Sequence, residues 1–279
     1  MRLAVVALSS LFVVASAAGA PEKLTPIDQV FQRLYNCDFA GAHAILDEST
    51  RAEPDNPLNY SVRAATCLFA ELDRLKILQA DFFLDDDKLI DRRRLQPDAA
   101  VRATFYKALQ DAQRIANARL SSKPNDPDAL LALCMSSGVV ADYVALVERK
   151  QWRSLSLAKQ TNAYAQKLLA LNPPMVDAYL NVGITEYVVG SLPFFVRWFV
   201  HYDQIQGNKD RGLWCLEIVA RQGRYYPPFA KILLAVTHLR EKRNQEAQRY
   251  LAEVAREYPA NPLIRRELDR VNEKILRGR

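Results

Sequence analysis

At 279 residues, with 49% hydrophobic and 25% charged side chains, the chain can bury a sizeable core and is too apolar for a disordered protein. Only nine glycines are present, which argues against a sheet-based fold with many tight turns. The formal net charge of +6 is mixed with acids along nearly every segment, whereas a nucleic-acid footprint clusters on one face, so no nucleic-acid partner is expected.

The N-terminus reads as an address. Arg2 is followed by an apolar run over residues 3–14 and then by Ala18-Gly19-Ala20 ahead of Pro21-Glu22-Lys23. A basic start, a short apolar stretch and a small-x-small exit describe a secretory signal peptide over residues 1–20, cut after Ala20. The alternative is an uncleaved anchor, because alanines carry the apolar run almost to bilayer length. No cysteine follows the small-residue box, so lipid attachment is not expected. Residues 21–279 then form one domain of an exported protein, periplasmic or secreted, with peripheral contact to a membrane surface left open.

Helical periodicity starts at residues 27–35, stops near Asn36-Cys37-Asp38, and resumes over 39–52. Asn56-Pro57, Asp126-Pro127 and Asn261-Pro262 each set a capping side chain before a proline with no amide to leave unpaired, which predicts three helix starts. From Pro57, the residues Tyr60, Ala64, Cys67, Leu68, Leu72 and Leu75 share one face, and the pattern fades near residue 80. Residues 82–96 form a charged insertion around Asp85-Asp86-Asp87 and Arg92-Arg93-Arg94. It lacks the alternating ligands and glycine turn of a calcium loop and reads as a self-compensating solvated segment.

The next helix is expected from residue 97 or 98 to 120, with Ala108, Ala112, Ile115 and Ala116 on one side. Leu130, Leu133, Cys134, Val140 and Val144 line another that reaches Glu148. A turn at residues 150–154 leads to a helix over 157–171, closed by Asn172-Pro173. Tyr179, Val182, Gly183 and Tyr187 face one way on the following helix, with Gly183 expected at a close helix crossing. Two more patterns fill residues 228–262, and Ile264, Leu268, Val271 and Ile275 make a narrow stripe on a terminal helix.

Leu234-Ala235, Ala247, Leu251 and Pro259 have the spacing of a tetratricopeptide repeat, although Lys231 and His238 stand where its aromatics belong. Phe39, Ala42, Leu46 and Pro54 repeat the interval of Asn244, Ala247, Leu251 and Pro259. This resemblance implies an all-α, tetratricopeptide-like solenoid of about five helical hairpins plus a C-terminal capping helix, whose stacked hairpins curve into a groove. One stretch departs from it. Residues 190–206 form an irregular insertion that begins Gly190-Ser191-Leu192-Pro193 and crowds aromatics into 194–202. Together with Gly207-Asn208-Lys209-Asp210-Arg211-Gly212-Leu213, Tyr226-Pro227-Pro228-Phe229-Ala230 and Tyr258-Pro259-Ala260-Asn261-Pro262, this order resembles the tetratricopeptide-like outer-membrane and inclusion-body clearance family of eukaryotes and bacterial envelope repeat proteins. The resemblance implies an adaptor role near membranes or lipid bodies and transfers no active site. The secretory signal departs from that family's intracellular setting.

Catalysis needs convergent polar groups, and the sequence offers few. The three histidines, His43, His201 and His238, belong to no metal or nucleophile motif, and no phosphate-binding glycine loop is present. No enzyme activity, metal or cofactor is therefore expected. Cys37, Cys67, Cys134 and Cys215 allow three pairings that the sequence does not choose between, and each reads more simply as a small hydrophobe. A scaffold or adaptor for a protein or peptide partner in the cell envelope is the leading expectation, with Tyr60, Arg63, Tyr179 and Glu186 as groove contacts. The alternative is a lipid- or membrane-associated module working through residues 194–202, including Phe195, Arg197, Trp198, Phe199 and His201; the same rings would also serve as a core plug.

Overall fold

The computed structural model describes residues 24–78, 95–191 and 207–278. The expected signal peptide, nearly all of the charged insertion, and Phe195, Arg197, Trp198, Phe199 and His201 of the aromatic insertion lie outside the described residues.

Among the described residues the chain is all-α, with eleven α-helices and no strand. They are α1 (Pro26–Tyr35), α2 (Phe39–Ala52), α3 (Pro57–Arg74), α4 (Ala99–Ser122), α5 (Pro127–Asp142), α6 (Gln151–Leu169), α7 (Tyr179–Ser191), α8 (Lys209–Gln222), α9 (Pro227–Arg240), α10 (Asn244–Glu257) and α11 (Pro262–Arg277). Each packs against its neighbours in sequence. Connections as short as Asn36 to Asp38 leave antiparallel packing as the only arrangement for those neighbours.

Two kinds of turn recur along the chain. Inside hairpins, Cys37, Lys76, Arg149 and Lys242 adopt left-handed backbone, with φ of 59°, 61°, 58° and 59°. After Cys37, Lys76 and Lys242 the next amide reaches back five residues to close the helix end: Asp38 donates to the Arg33 carbonyl at 2.9 Å, Ile77 to Leu72 at 2.8 Å and Arg243 to His238 at 2.8 Å; after Arg149, Lys150 reaches back six, to Val144, at 2.9 Å. A left-handed residue cannot continue a helix, so α3 stops at Arg74, short of the expected residue 80. Cys37 likewise sits in a turn and not within a helical face. A π-helical turn, Tyr143–Val147, carries α5 on to the left-handed Arg149, and α6 begins at Gln151, ahead of the expected start at 157.

Between hairpins the expected caps are in place. Asn56 accepts from the Leu58 amide at 3.1 Å, Asp126 from Ala129 at 2.9 Å, and Asn261 from Leu263 and Ile264 at 2.9 and 3.0 Å. Each is followed by proline in the first helical turn. The same two junctions, used repeatedly, make the packing repeat-like.

Small side chains set the helix spacing. Ala42, Ala112, Ala116, Ala165, Ala230, Ala235 and Ala247 are all fully buried. A close crossing joins α7 to α8, where Gly183 lies as its pattern predicts. A Cβ on Gly183 would stand 3.0 Å from the Gly212 carbonyl oxygen, and one on Gly212 would stand 2.8 Å from the Tyr187 nitrogen. The two helices meet backbone to backbone.

The core falls into two hydrophobic clusters. One is built mainly by α1 to α6, the other by α7 to α11, and Tyr35, Tyr179 and Tyr226 pack against both. Residues Pro127–Val147 are apolar enough to cross a bilayer, but 78% of that window is buried inside the protein, which makes α5 a core helix. Cys67, Cys134 and Cys215 are buried free thiols, and burial pushes them up to about 11, about 12 and about 11, so they pack as small hydrophobes.

Two glycine substitutions separate crossing from tolerance. Gly212→Ala is expected to destabilise by about 1–3 kcal/mol through overpacking. A Cβ on Gly138 would make only ordinary contacts at 3.6 and 3.7 Å. Gly138→Ala in α5 is therefore expected to be neutral or to stabilise by up to about 1 kcal/mol. Urea unfolding of both variants checks this; equal midpoints would contradict the backbone crossing.

Candidate functional site

Residues about 190–226 positions apart in sequence meet where α1 touches the turns at 223–226 and 258–261. The starting point is Asp177, in a short 3-10 turn ahead of α7 and 3% exposed. One carboxylate oxygen accepts from the Arg224 amide at 2.8 Å, the other from the Tyr225 and Tyr226 amides at 2.8 and 2.9 Å. These donors precede α9 and have no helical partner, so the buried carboxylate takes the place of a cap. Gly223 is required beside it, since a Cβ there would sit 2.8 Å from the Val219 carbonyl and 3.2 Å from the Asp177 carboxylate.

The turn held in this way offers three groups to α1. The Arg224 guanidinium donates twice to Asp28, at 3.2 and 3.1 Å, while lying over the Tyr225 ring at 5.1 Å. The Tyr225 carbonyl accepts from the Tyr35 hydroxyl at 2.8 Å. Phe31 stacks on Tyr225 at 5.1 Å and meets Tyr226 edge-on at 5.7 Å. On the other side, the Asn261 amide nitrogen donates to the Tyr35 carbonyl at 2.7 Å, the Ala260 amide donates to Asn36 at 3.2 Å, and Tyr35 lies 5.2 Å from Tyr258. Asn261 thereby caps α11 with its oxygen and holds the end of α1 with its nitrogen.

An open cleft of about 280 Å³ runs along this seam, lined among others by Leu24, Asp28, Phe31, Arg224, Tyr225 and Tyr258. Burial pushes the Asp28 carboxyl up, but hydrogen bonds from Arg224 and Thr25 outweigh it and leave the group below the ordinary 3.8. Burial pushes the Tyr225 phenol up to about 12 and holds Tyr35 and Tyr226 well above 10. These phenols stay neutral around pH 7, so they serve as hydrogen-bond donors and apolar rings rather than bases.

The sequence-based candidates are placed elsewhere. The Tyr60 hydroxyl donates to the Pro54 carbonyl at 2.9 Å, and Arg63 pairs with Asp47 at 2.8 Å and reaches Thr50 at 3.4 Å, so both serve the α2–α3 junction. Tyr179 stands edge-on to Trp214 at 5.9 Å, and Trp214 is 53% exposed. Glu186 is fully buried; it accepts from the Asn208 amide at 3.0 Å and pairs with Arg211 at 3.4 Å. Beside it a Cβ on Gly190 would meet the Gly207 carbonyl at 2.7 Å, so Glu186 pins the base of the 190–206 insertion instead of facing a groove. The four do not form one constellation. His238 fills its aromatic position by stacking on Tyr250 at 5.7 Å.

Among the described residues, no group of three or more His, Cys, Asp or Glu is placed to hold a metal ion. Asp28, Phe31, Asp177, Arg224 and Tyr225 carry no sequence motif, and Tyr35 and Tyr258 are legible only as the ends of helical patterns. The run Tyr226-Pro227-Pro228 flagged the turn, but nothing local in the chain pairs it with α1. Comparison with protein-family models, with curated proteins and with solved structures yields no match.

Removing the Asp177 carboxylate leaves three nearly buried amides without their acceptor. Asp177→Ala is expected to cost about 3 kcal/mol or more in urea unfolding, and Asp177→Asn roughly half as much; a loss under about 0.5 kcal/mol would contradict the capping role. For Asp28 the folded carboxyl is depressed, so its contribution is present above the ordinary 3.8 and lost as pH falls through the lower folded value. The stability gap between wild type and Asp28→Asn is therefore expected in full at about pH 6, should narrow only as pH falls below about 4, and should close once pH passes below the depressed folded value; a gap independent of pH would contradict the ion pair.

Proposed function

We propose that the chain is an exported, non-enzymatic, tetratricopeptide-like scaffold that holds a protein or peptide partner in the cell envelope. The observation that carries this reading is the repeated pair of junctions, a left-handed turn inside hairpins and a capped proline start between them, which strings adjacent helix pairs into one array. Repeats of this kind present long composite surfaces rather than a single reactive centre. The small buried residues at the helix crossings and the turn prolines at 54, 124 and 259 support the tetratricopeptide reading within that class. The partner surface best supported is the open cleft along the α1 seam, where the half-exposed Arg224 guanidinium and Leu24 border the edges of the buried rings of Phe31, Tyr225 and Tyr258. Aromatic and arginine side chains are the groups that dominate partner binding when partly desolvated.

A phage-displayed library of random peptides, panned against residues 21–279, tests the reading. Enrichment of a shared motif whose binding falls at least about tenfold in Tyr258→Ala is expected, a loss of about 1.4 kcal/mol. No enrichment, with the protein instead floating with anionic vesicles, would overturn it in favour of the lipid-associated alternative.

A further inference from the structure

One buried titratable group beside the second cluster takes no part in the seam. His238 lies in the last turn of α9 and is 7% exposed, and its buried Nδ1 has no hydrogen-bond partner among the described residues. Its ring lies parallel to that of Tyr250 on α10, with centroids 5.7 Å apart and 7° between the planes. Its carbonyl accepts from the Arg243 amide at 2.8 Å, just past the left-handed Lys242. The same residue therefore closes α9 and stacks the two helices of the hairpin. Where the repeat pattern has an aromatic ring, this chain has one that can take up a proton.

The surroundings favour the neutral ring. From α10, Glu246, Arg249 and Tyr250 face it, with the Arg249 guanidinium over the Tyr250 ring at 4.6 Å. From the turn come Glu241 and Arg243, which pair with each other, so Glu241 is already engaged. Arg240 follows on α9, Tyr187 of α7 feels the charges of the same turn, and Glu217 and Arg221 of α8 pair at 2.5 Å and act on Tyr250. Burial, and then the Arg243 charge, hold His238 below the ordinary 6.5, and the carboxylates of Glu246 and Glu241 do not offset them. A proton on Nδ1 would add both a charge and a donor without an acceptor.

We propose that His238 is a proton sensor set into the α9–α10 interface: in mild acid it takes up a proton that this stacked, unpartnered site resists, and the packing of the hairpin is weakened. Because the fold favours the neutral ring, its contribution is complete well above 6.5 and is lost as pH falls from there towards the lower folded value. Over that window the folding equilibrium falls by up to about tenfold per pH unit. In an exported array this makes the C-terminal hairpin the acid-sensitive element; that use rests on the scaffold reading, whereas the sensing rests on the geometry around His238.

Urea unfolding of the wild type and of His238→Phe, followed from about pH 8 to about pH 5, tests the sensor. Phenylalanine keeps a ring on Tyr250 and does not titrate. His43, which burial and Arg63 also hold below 6.5, is present in both proteins and cancels from the comparison. Between about pH 7 and about pH 5 the wild-type folding constant should fall at least about threefold more than that of the variant. Parallel pH profiles overturn the proposal. Should His238→Phe fail to fold, proton NMR of the assigned His238 ring in the wild type decides: a titration midpoint below 6.5 is expected, and one at or above 6.5 overturns the sensor.

Discussion

A single buried carboxylate organises the far side of this molecule. Asp177 gathers the amides of Arg224, Tyr225 and Tyr226 into one turn, and that turn is what the first helix rests on. Without it, three amides at the start of α9 would have no acceptor, and the cation, carbonyl and ring that receive Asp28, Tyr35 and Phe31 would lose their common frame. The hairpins supply local order through their own turns and caps. Bringing their ends together depends on long-range hydrogen bonds whose donors and acceptors are set one by one.

This division of labour explains the mixed character of the core. Hairpin interiors use alanine and glycine to bring helix backbones close, as at Gly183 and Gly212. The meeting ground of the two clusters uses tyrosines, whose rings fill space while their hydroxyls reach a main-chain partner, as Tyr35 does at Tyr225. The first helix lies against these rings, and the open cleft runs along its edge.

The all-α class and several helix starts were legible because their signals are local. Asn56-Pro57, Asp126-Pro127 and Asn261-Pro262 each carry cap and start within two residues, and the alanine spacing in α2 and α10 recurs at fixed intervals. Helix ends set by left-handed lysine or arginine were less legible, since Lys76 and Arg149 carry no glycine to mark the turn. Of the site, only the turn at Tyr226-Pro227-Pro228 and the Asn261 cap were legible, because what pairs them with α1 is not local in the chain. Asp28 and Arg224 look like solvated charges on their own segments, and Asp177 like one more first-turn acid, until the fold sets them together. Glu186 misled for the same reason: a carboxylate on an apolar helix gives no sign in sequence that an amide and an arginine from the next helix cover it.

The claim most exposed to test is that Asp177 sets the closure of the array while the hairpins stand without it. Proton Overhauser contacts between selectively labelled aromatic rings measure both at once. In the wild type, the Phe31–Tyr225 contact at the seam and the Phe105–Tyr143 contact, stacked at 4.6 Å within the first cluster, should both be seen. In Asp177→Ala the first should vanish and the second persist. Retention of the Phe31–Tyr225 contact, or loss of both together, would contradict the account.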